Sequence, residues 1–394
     1  MNTHKVYICP KASDIDVRNH YFHHIIAYYG EISKNVDVYC HNFRCDVHYT
    51  SNFIEFVIDK MKYLCQKYFS VLFYFYSPRL AYLIIKTEPL LKEYIPYLNS
   101  YTLLQQLDDK IICRTWAKEF INIVPFQVLS FATFLEKMQN NTINYISNKY
   151  VIQYPDSCGG EGTYVLSHKT SDKTEEYLKI LPHDTFFLLS PYYEDSISAT
   201  CHFIVYENTE LIFPIGISKA LLSDGFCNRP IYQGTDYTQS TSFSKEIKSK
   251  FYKSVRILSR KLASVGYRGI CGVDFLIINH DVYMMEINPR YLGSSYLVDM
   301  ALLDNRLPPL AFFNEQAFTH DSPQKKYVQI IENLIIPYEG YLFSYNECFD
   351  QISFNTLVKN LPSNWEILWD GLDTNISVAK YERDTYLFRA FKSE

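Results

Sequence analysis

A chain of 394 residues is too long to close around one small core, so two or three domains are expected. Hydrophobic residues make up 47%, enough for a packed interior throughout, which excludes wholesale disorder. The net charge of −5 leaves no basic footprint for nucleic acid, so a negative ligand has to be met by local cations or amide groups. The first residues lack a charged stretch leading into an apolar one, and no run approaches the roughly 18 uninterrupted apolar residues of a spanning helix. The expectation is a cytoplasmic protein with neither a membrane nor a nucleic acid as partner. Ten cysteines without a C-x-x-C pair suggest reduced thiols rather than a disulfide framework or a zinc ribbon.

Along the first 105 residues, strand-like runs at 6–9, 36–40 and 71–76 alternate with helix-length segments, the pattern of a small α/β layer with a parallel sheet. Cys40, His41, Cys45 and His48 fall there at irregular spacing with no second ligand pair downstream, so they read as loop and strand residues rather than a zinc site. Asp109-Lys110 opens a helix-like segment that ends before Val124-Pro125. Next, Gly159-Gly160-Glu161-Gly162-Thr163 lies between two strand-like runs, and such a loop lets backbone N–H groups approach phosphate oxygens. It is neither a Walker A loop nor a dinucleotide fingerprint, and taken alone a tight turn between strands is the more frequent explanation. Ile247, Phe251, Val255, Leu258 and Leu262 recur at helical spacing between a capping Ser244 and a terminating Gly266, and that stripe is core. From 311 to 394 the chain carries Trp365, Trp369 and strand-like runs at 376–381 and 386–391, but no motif.

The densest chemistry lies between Gly272 and Arg290. Two runs of β-branched and aromatic residues flank Asn279-His280-Asp281, which predicts antiparallel strands joined by a three-residue loop. If that turn centres on His280, Asp274 faces Glu286, and Asn288 lies on the same face one step beyond. Like charges directly opposite each other are destabilising, by roughly 0.2–1 kcal/mol, unless a cation lies between them. Mg²⁺ suits the position, because it takes oxygen ligands, keeps several waters and is usually held by one or two carboxylates plus nucleotide phosphates. The plainer reading, a solvated surface hairpin, is weakened by Pro289-Arg290 after the asparagine and by the glycine loop upstream.

A glycine-rich hairpin, then Gly272-Val273-Asp274-Phe275, then Met285-Glu286-Ile287-Asn288-Pro289-Arg290, resembles the ATP-grasp family over residues 106–300. The resemblance implies an α/β fold with an α+β lid: an N-terminal α/β domain at 1–105, the lid at 106–190, a metal-binding subdomain at 191–310 and a C-terminal extension at 311–394. ATP and Mg²⁺ are the implied cofactors, with two ions held by Asp274, Glu286 and Asn288 and Mn²⁺ as a substitute. Lys110 and Lys219 are implied as phosphate contacts, and Gly159, Gly160, Gly162 and Thr163 as the loop closing over the triphosphate. Ser190, Tyr192, Tyr193 and Glu194 would form the hinge whose main chain holds adenine. Arg290 would bind a carboxylate or acylphosphate, with Lys219 beside it in the catalytic set. One departure is Gln153, where many members have lysine; it donates a hydrogen bond without charge, which shifts cationic weight to Lys110, Arg114 or Lys219. Tyr232-Gln233-Gly234-Thr235-Asp236 and Gly293-Ser294-Ser295 after Arg290 resemble the pheganomycin-type peptide ligases. The implied reaction is ADP-forming ligation of a small-molecule carboxylate to an amine in a homodimeric enzyme. The alternatives are loading of an amino acid onto a carrier-protein thiol and a degenerate ATP-binding protein.

Overall fold

The computed structural model describes residues 3–14, 20–29, 37–40, 50–140, 149–157, 162–167, 185–222, 229–344, 364–368 and 386–393. Outside them lie Gly159, Gly160, His41, Cys45, His48, the strand-like run at 376–381 and Trp369.

Near the N-terminus, β1 (His4–Lys11), β2 (His24–Tyr29), β3 (Asp37–Cys40) and β4 (Val71–Phe75) form a parallel sheet in the order β3-β2-β1-β4. Val6 and Ile8 on β1 and Phe73 on β4 are buried with Phe53, Val57 and Met61 of the helix Ser51–Lys67, the covering that a parallel sheet requires. Because the strand order reverses between β1 and β4, a crevice opens beyond their carboxyl ends. The main chain at Tyr291 closes on that end, its N–H donating to the Tyr76 carbonyl at 3.4 Å. The sequence reading passed over β2.

A second sheet is antiparallel, in the order β5-β8-β6-β7, from β5 (Gln127–Ser130), β6 (Lys149–Gln153), β7 (Thr163–Ser167) and β8 (Phe186–Pro191). Tyr150, Ile152, Phe187 and Leu189 turn into one core against Phe131 and Phe134, and Leu188 and Ser190 on the other face of β8 are buried as well.

The third and largest sheet runs β14-β13-β9-β11-β12-β15-β17-β16, with β10 beside β9. It comprises β9 (Ile197–Val205), β10 (Glu210–Ile212), β11 (Gly216–Leu222), β12 (Pro230–Asp236), β13 (Gly269–Ile278), β14 (Asp281–Asn288), β15 (Tyr338–Ser344), β16 (Trp365–Leu368) and β17 (Tyr386–Ser393). The helix Lys245–Ser264 covers one face. Ser244 caps it by accepting from the Ile247 N–H at 3.2 Å, and its Ile247, Phe251, Val255, Leu258 and Leu262 are all buried. Gly266 follows at φ 87°, a left-handed stop that other residues adopt only with strain. The C-terminal strands are part of this sheet. They also reach the start of the chain, where Arg389 on β17 pairs with Asp14 at 2.6 Å, both buried.

Glu315, in the helix Leu310–Thr319, fastens the first sheet to the rest. It accepts from Lys5 at 2.7 Å, Tyr21 at 2.5 Å and Tyr74 at 2.6 Å. Burial pushes its carboxyl up, but these donors outweigh burial and leave it below the usual carboxylate range. A depressed carboxylate contributes stability that is present above its unfolded value and lost as pH falls through the folded one. Glu315→Gln is therefore expected to cost about 2 kcal/mol at neutral pH. Urea melts of both proteins should converge as the pH is taken below about 4.

Candidate active site

The hairpin of β13 and β14 turns more tightly than expected. Ile278 pairs with Asp281, so the turn contains only Asn279 and His280, at φ 49° and 68°. Both central residues lie in the left-handed region, as a two-residue turn matched to strand twist requires, and asparagine tolerates it well. The expected three-residue loop is thus corrected to two. Asp274 still faces Glu286, because a bulge restores the offset: Phe275 pairs with Met284 and Asp274 with Glu286, leaving Met285 extra.

Asn288, 6% exposed, donates through Nδ2 to Asp274 Oδ2 at 2.9 Å, and its Oδ1 accepts from Arg290 Nη2 at 3.1 Å. Arg290 Nη1 donates to the Tyr291 carbonyl at 3.0 Å. On the other side stands the helix Lys110–Ala117, capped by Asp109, which accepts from the Ile112 N–H at 2.8 Å. One turn apart on that helix, Lys110 and Arg114 are both buried. Lys110 Nζ lies 3.4 Å from Glu286 Oε2 and donates to the Ser157 carbonyl, while its N–H donates to the Pro155 carbonyl at 2.9 Å. Arg114 donates to the Met285 carbonyl at 2.5 Å and to Gln153 Oε1 at 2.6 Å, with Ser190 Oγ at 3.5 Å.

Burial pushes the Asp274 carboxyl up, and the charge of Glu286 opposite adds to that rise. Burial acts on Glu286 too, but Lys110 and Arg114 outweigh it and hold this carboxyl below the usual range. Arg114 is drawn down to about 10 by burial and stays cationic at neutral pH. The pair is therefore unevenly served: Glu286 has two cations, whereas Asp274 faces the other acid, Thr200 and the Asn288 amide. A cation between the two acids would correct this. Among the described residues no group of three His, Cys, Asp or Glu could hold a metal ion. Two carboxylates and an amide oxygen form an open set, which fits Mg²⁺ with waters and phosphate oxygens and does not fit a closed structural zinc site.

The remaining expected residues fall as follows. Gly162, at φ 63°, accepts through its carbonyl from the Tyr154 N–H at 2.9 Å; a Cβ there would meet Ser157 Cβ at 2.8 Å. Thr163 pairs with Gln153 across β6 and β7. Ser190 is buried at the end of β8, and Tyr192, Tyr193 and Glu194 follow in the link from the second sheet to the third. The Tyr192 N–H donates to the Lys149 carbonyl at 3.2 Å, and the Tyr193 carbonyl accepts from Ser196 Oγ at 2.7 Å. Glu194 pairs at 2.6 Å with Lys149, both largely exposed. Lys219 stands on β11, which β9 separates from β13 in the sheet order. Its ammonium contacts Glu339, lies 3.3 Å from Asp236 and donates to Tyr341 Oη at 2.9 Å, so it serves the junction with β15.

Sequence reasoning missed the buried support beneath Arg290. His202 Nδ1 is 3.1 Å from Tyr237 Oη and its Nε2 is 2.9 Å from Ser295 Oγ, which in turn accepts from the Leu292 N–H at 2.9 Å. Burial lowers His202 to about 3, so a neutral imidazole holds the loop after Asn288. The Gly293-Ser294-Ser295 sequence was the only trace of this network, and nothing in the chain pointed from it to His202.

Three comparisons bear on this arrangement. A sequence profile described as "ATP-grasp domain" matches residues 108–294. An uncharacterized protein of Methanocaldococcus jannaschii is 25% identical over 128 residues, 32% of this chain and 30% of that protein, so the match spans under a third of the relative's length. Among solved structures, the L-amino acid ligase from Bacillus licheniformis superposes with a TM-score of 0.60 at 11% identity, covering 100% of this chain and 94% of the other. N5-carboxyaminoimidazole synthetase from Staphylococcus aureus, complexed with ADP, gives 0.59 at 13%, covering 100% and 94%. The Aspergillus clavatus carboxyaminoimidazole ribonucleotide synthase complexed with ATP gives 0.63 at 10%, again covering 100% and 94%. Residues 108–294 thus match an ATP-grasp domain, and the chain as a whole takes the ATP-grasp fold.

Proposed function

We propose that this protein is an ATP-dependent, ADP-forming carboxylate–amine ligase. The observation that carries this reading is the face made by Asp274, Glu286 and Asn288, which Lys110 joins to the second sheet, while Arg290 bonds Asn288 and the next residue, Tyr291, donates its N–H to the Tyr76 carbonyl just after β4. Similar folds complexed with ADP or ATP, and one solved as an L-amino acid ligase, support it.

In the proposed reaction a carboxylate oxygen attacks the γ-phosphorus and ADP leaves. An amine then attacks the acyl carbon, phosphate departs with one former carboxylate oxygen, and the amine gives up a proton. Such a reaction asks the protein for positioning and charge neutralisation rather than covalent chemistry. Asp274, Glu286 and Asn288 would hold Mg²⁺, which when bound offsets the charge of the triphosphate. Lys110 faces the same acids and supplies a fixed cation, and Arg290 offers a planar fork suited to the carboxylate or acylphosphate. The segment around Gly162 and Thr163 would close over the phosphates and exclude water. Gln153 before the loop and Gly293-Ser294-Ser295 after Arg290 favour an amino acid or peptide as the carboxylate, as in the pheganomycin-type ligases.

The test is ADP release with Mg-ATP and pooled amino acids, followed by a carboxyl-¹⁸O amino acid taken from the active pool. Labelled phosphate alongside ADP is the expected result. AMP with pyrophosphate, or ADP with unlabelled phosphate, would overturn the acylphosphate route.

A further inference from the structure

Arg114 is 1% exposed, and among the described residues its side chain donates to neutral groups: the Met285 carbonyl at 2.5 Å, Gln153 Oε1 at 2.6 Å and Ser190 Oγ at 3.5 Å. These acceptors lie on three strands, two in the second sheet and one at the bulge beside Glu286. Burying this cation is costly and Glu286 offsets it only at a distance, without a hydrogen bond, so its task lies in what the guanidinium holds. The contact to Gln153 defines that task. A guanidinium only donates, so the Gln153 amide must turn its oxygen to Arg114 and keep its NH₂ for another partner. Gln153 ends β6 directly before the turn that Gly162 and Thr163 close, and Lys110 Nζ contacts the carbonyl of Ser157 in that same turn.

We propose that Arg114 is a positioning residue that fixes the Gln153 amide as a hydrogen-bond donor to the bound nucleotide, while holding the second sheet against the bulge at Met285. This rests on the ligase reading only in that ATP binds in this cleft. A helix-borne arginine and a strand-borne glutamine then act as one unit: the first supplies charge and orientation, the second the directional donor. Lysine at 114 can still donate to Gln153 but cannot fork to three acceptors.

Calorimetric titration of the full-length protein with Mg-ATP, together with thermal midpoints in the absence of nucleotide, tests the pair. Arg114→Met and Gln153→Met are each expected to weaken Mg-ATP about ten- to a hundredfold. The double variant should be no weaker than the worse single one, because the two act through one contact. Arg114→Lys should recover most of the affinity lost in Arg114→Met. Additive losses, or a Gln153→Met protein that binds Mg-ATP like the parent, would overturn the proposal. Should Arg114→Met fail to fold, Gln153→Met and Arg114→Lys decide it. A parent protein that does not bind Mg-ATP would instead defeat the ligase reading itself.

Discussion

Glu286→Gln is expected to abolish substrate-dependent ADP formation, by at least about a hundredfold, while the protein stays folded. Glutamine keeps the size and one carbonyl oxygen of the glutamate, so packing against the bulged strand survives and only the charge is lost. The effect on stability should be small, because two changes oppose each other. Lys110, 3.4 Å away, and Arg114 lose the carboxylate that offsets their charge, but Asp274 is relieved of a like charge paired across the strands. Far-UV circular dichroism and a thermal melt check the fold, and coupled ADP release checks turnover. Turnover within tenfold of the parent would remove Glu286 from the metal site, and with it the uneven distribution of charge that argues for a cation there.

How much of this site is legible in the sequence depends on the range of each interaction. The pairing of Asp274 with Glu286 could be read because strand periodicity is local and the turn residues are unmistakable, yet it came from a loop one residue too long. A bulge at Met285 made up the difference, and bulges leave no reliable sequence mark. The helix opening at Asp109-Lys110 and the helix after Ser244 were legible for the same local reason. Lys219 shows the limit: the family resemblance offered it as a phosphate contact, but nothing local pointed to its contact with Glu339, which lies 120 residues further on and is brought near by the pairing of β12 with β15. Arg114 is the converse case, a residue without a motif whose guanidinium reaches Gln153 at a separation of 39 and Met285 at 171. The C-terminal strands carried no motif, because their contribution is backbone pairing in the third sheet and ion pairs with residues far off in the chain, Arg389 with Asp14 and Glu339 with Lys219.

Arg290→Lys tests the other half of the site, and its expected result is a split between binding and turnover. Arg290 donates to the Tyr291 carbonyl at 3.0 Å and to Asn288 Oδ1 at 3.1 Å, while Asn288 turns its NH₂ to Asp274. Lysine preserves the positive charge facing Glu286 and Asp274, so the electrostatic attraction for Mg-ATP should change little, within about threefold. It cannot hold two acceptors in one plane, so a carboxylate or acylphosphate that relies on the fork would be misplaced. Misplacement of about an ångström is enough to cost roughly a hundredfold in rate. The buried support, His202 with Ser295 and the Leu292 N–H, does not involve the substituted side chain, so the loop itself should keep its place. Calorimetry with Mg-ATP and steady-state ADP release on the same preparation measure the two halves separately. If the nucleotide dissociation constant rises in proportion to the loss of rate, Arg290 serves the metal face through Asn288, and the carboxylate is bound elsewhere.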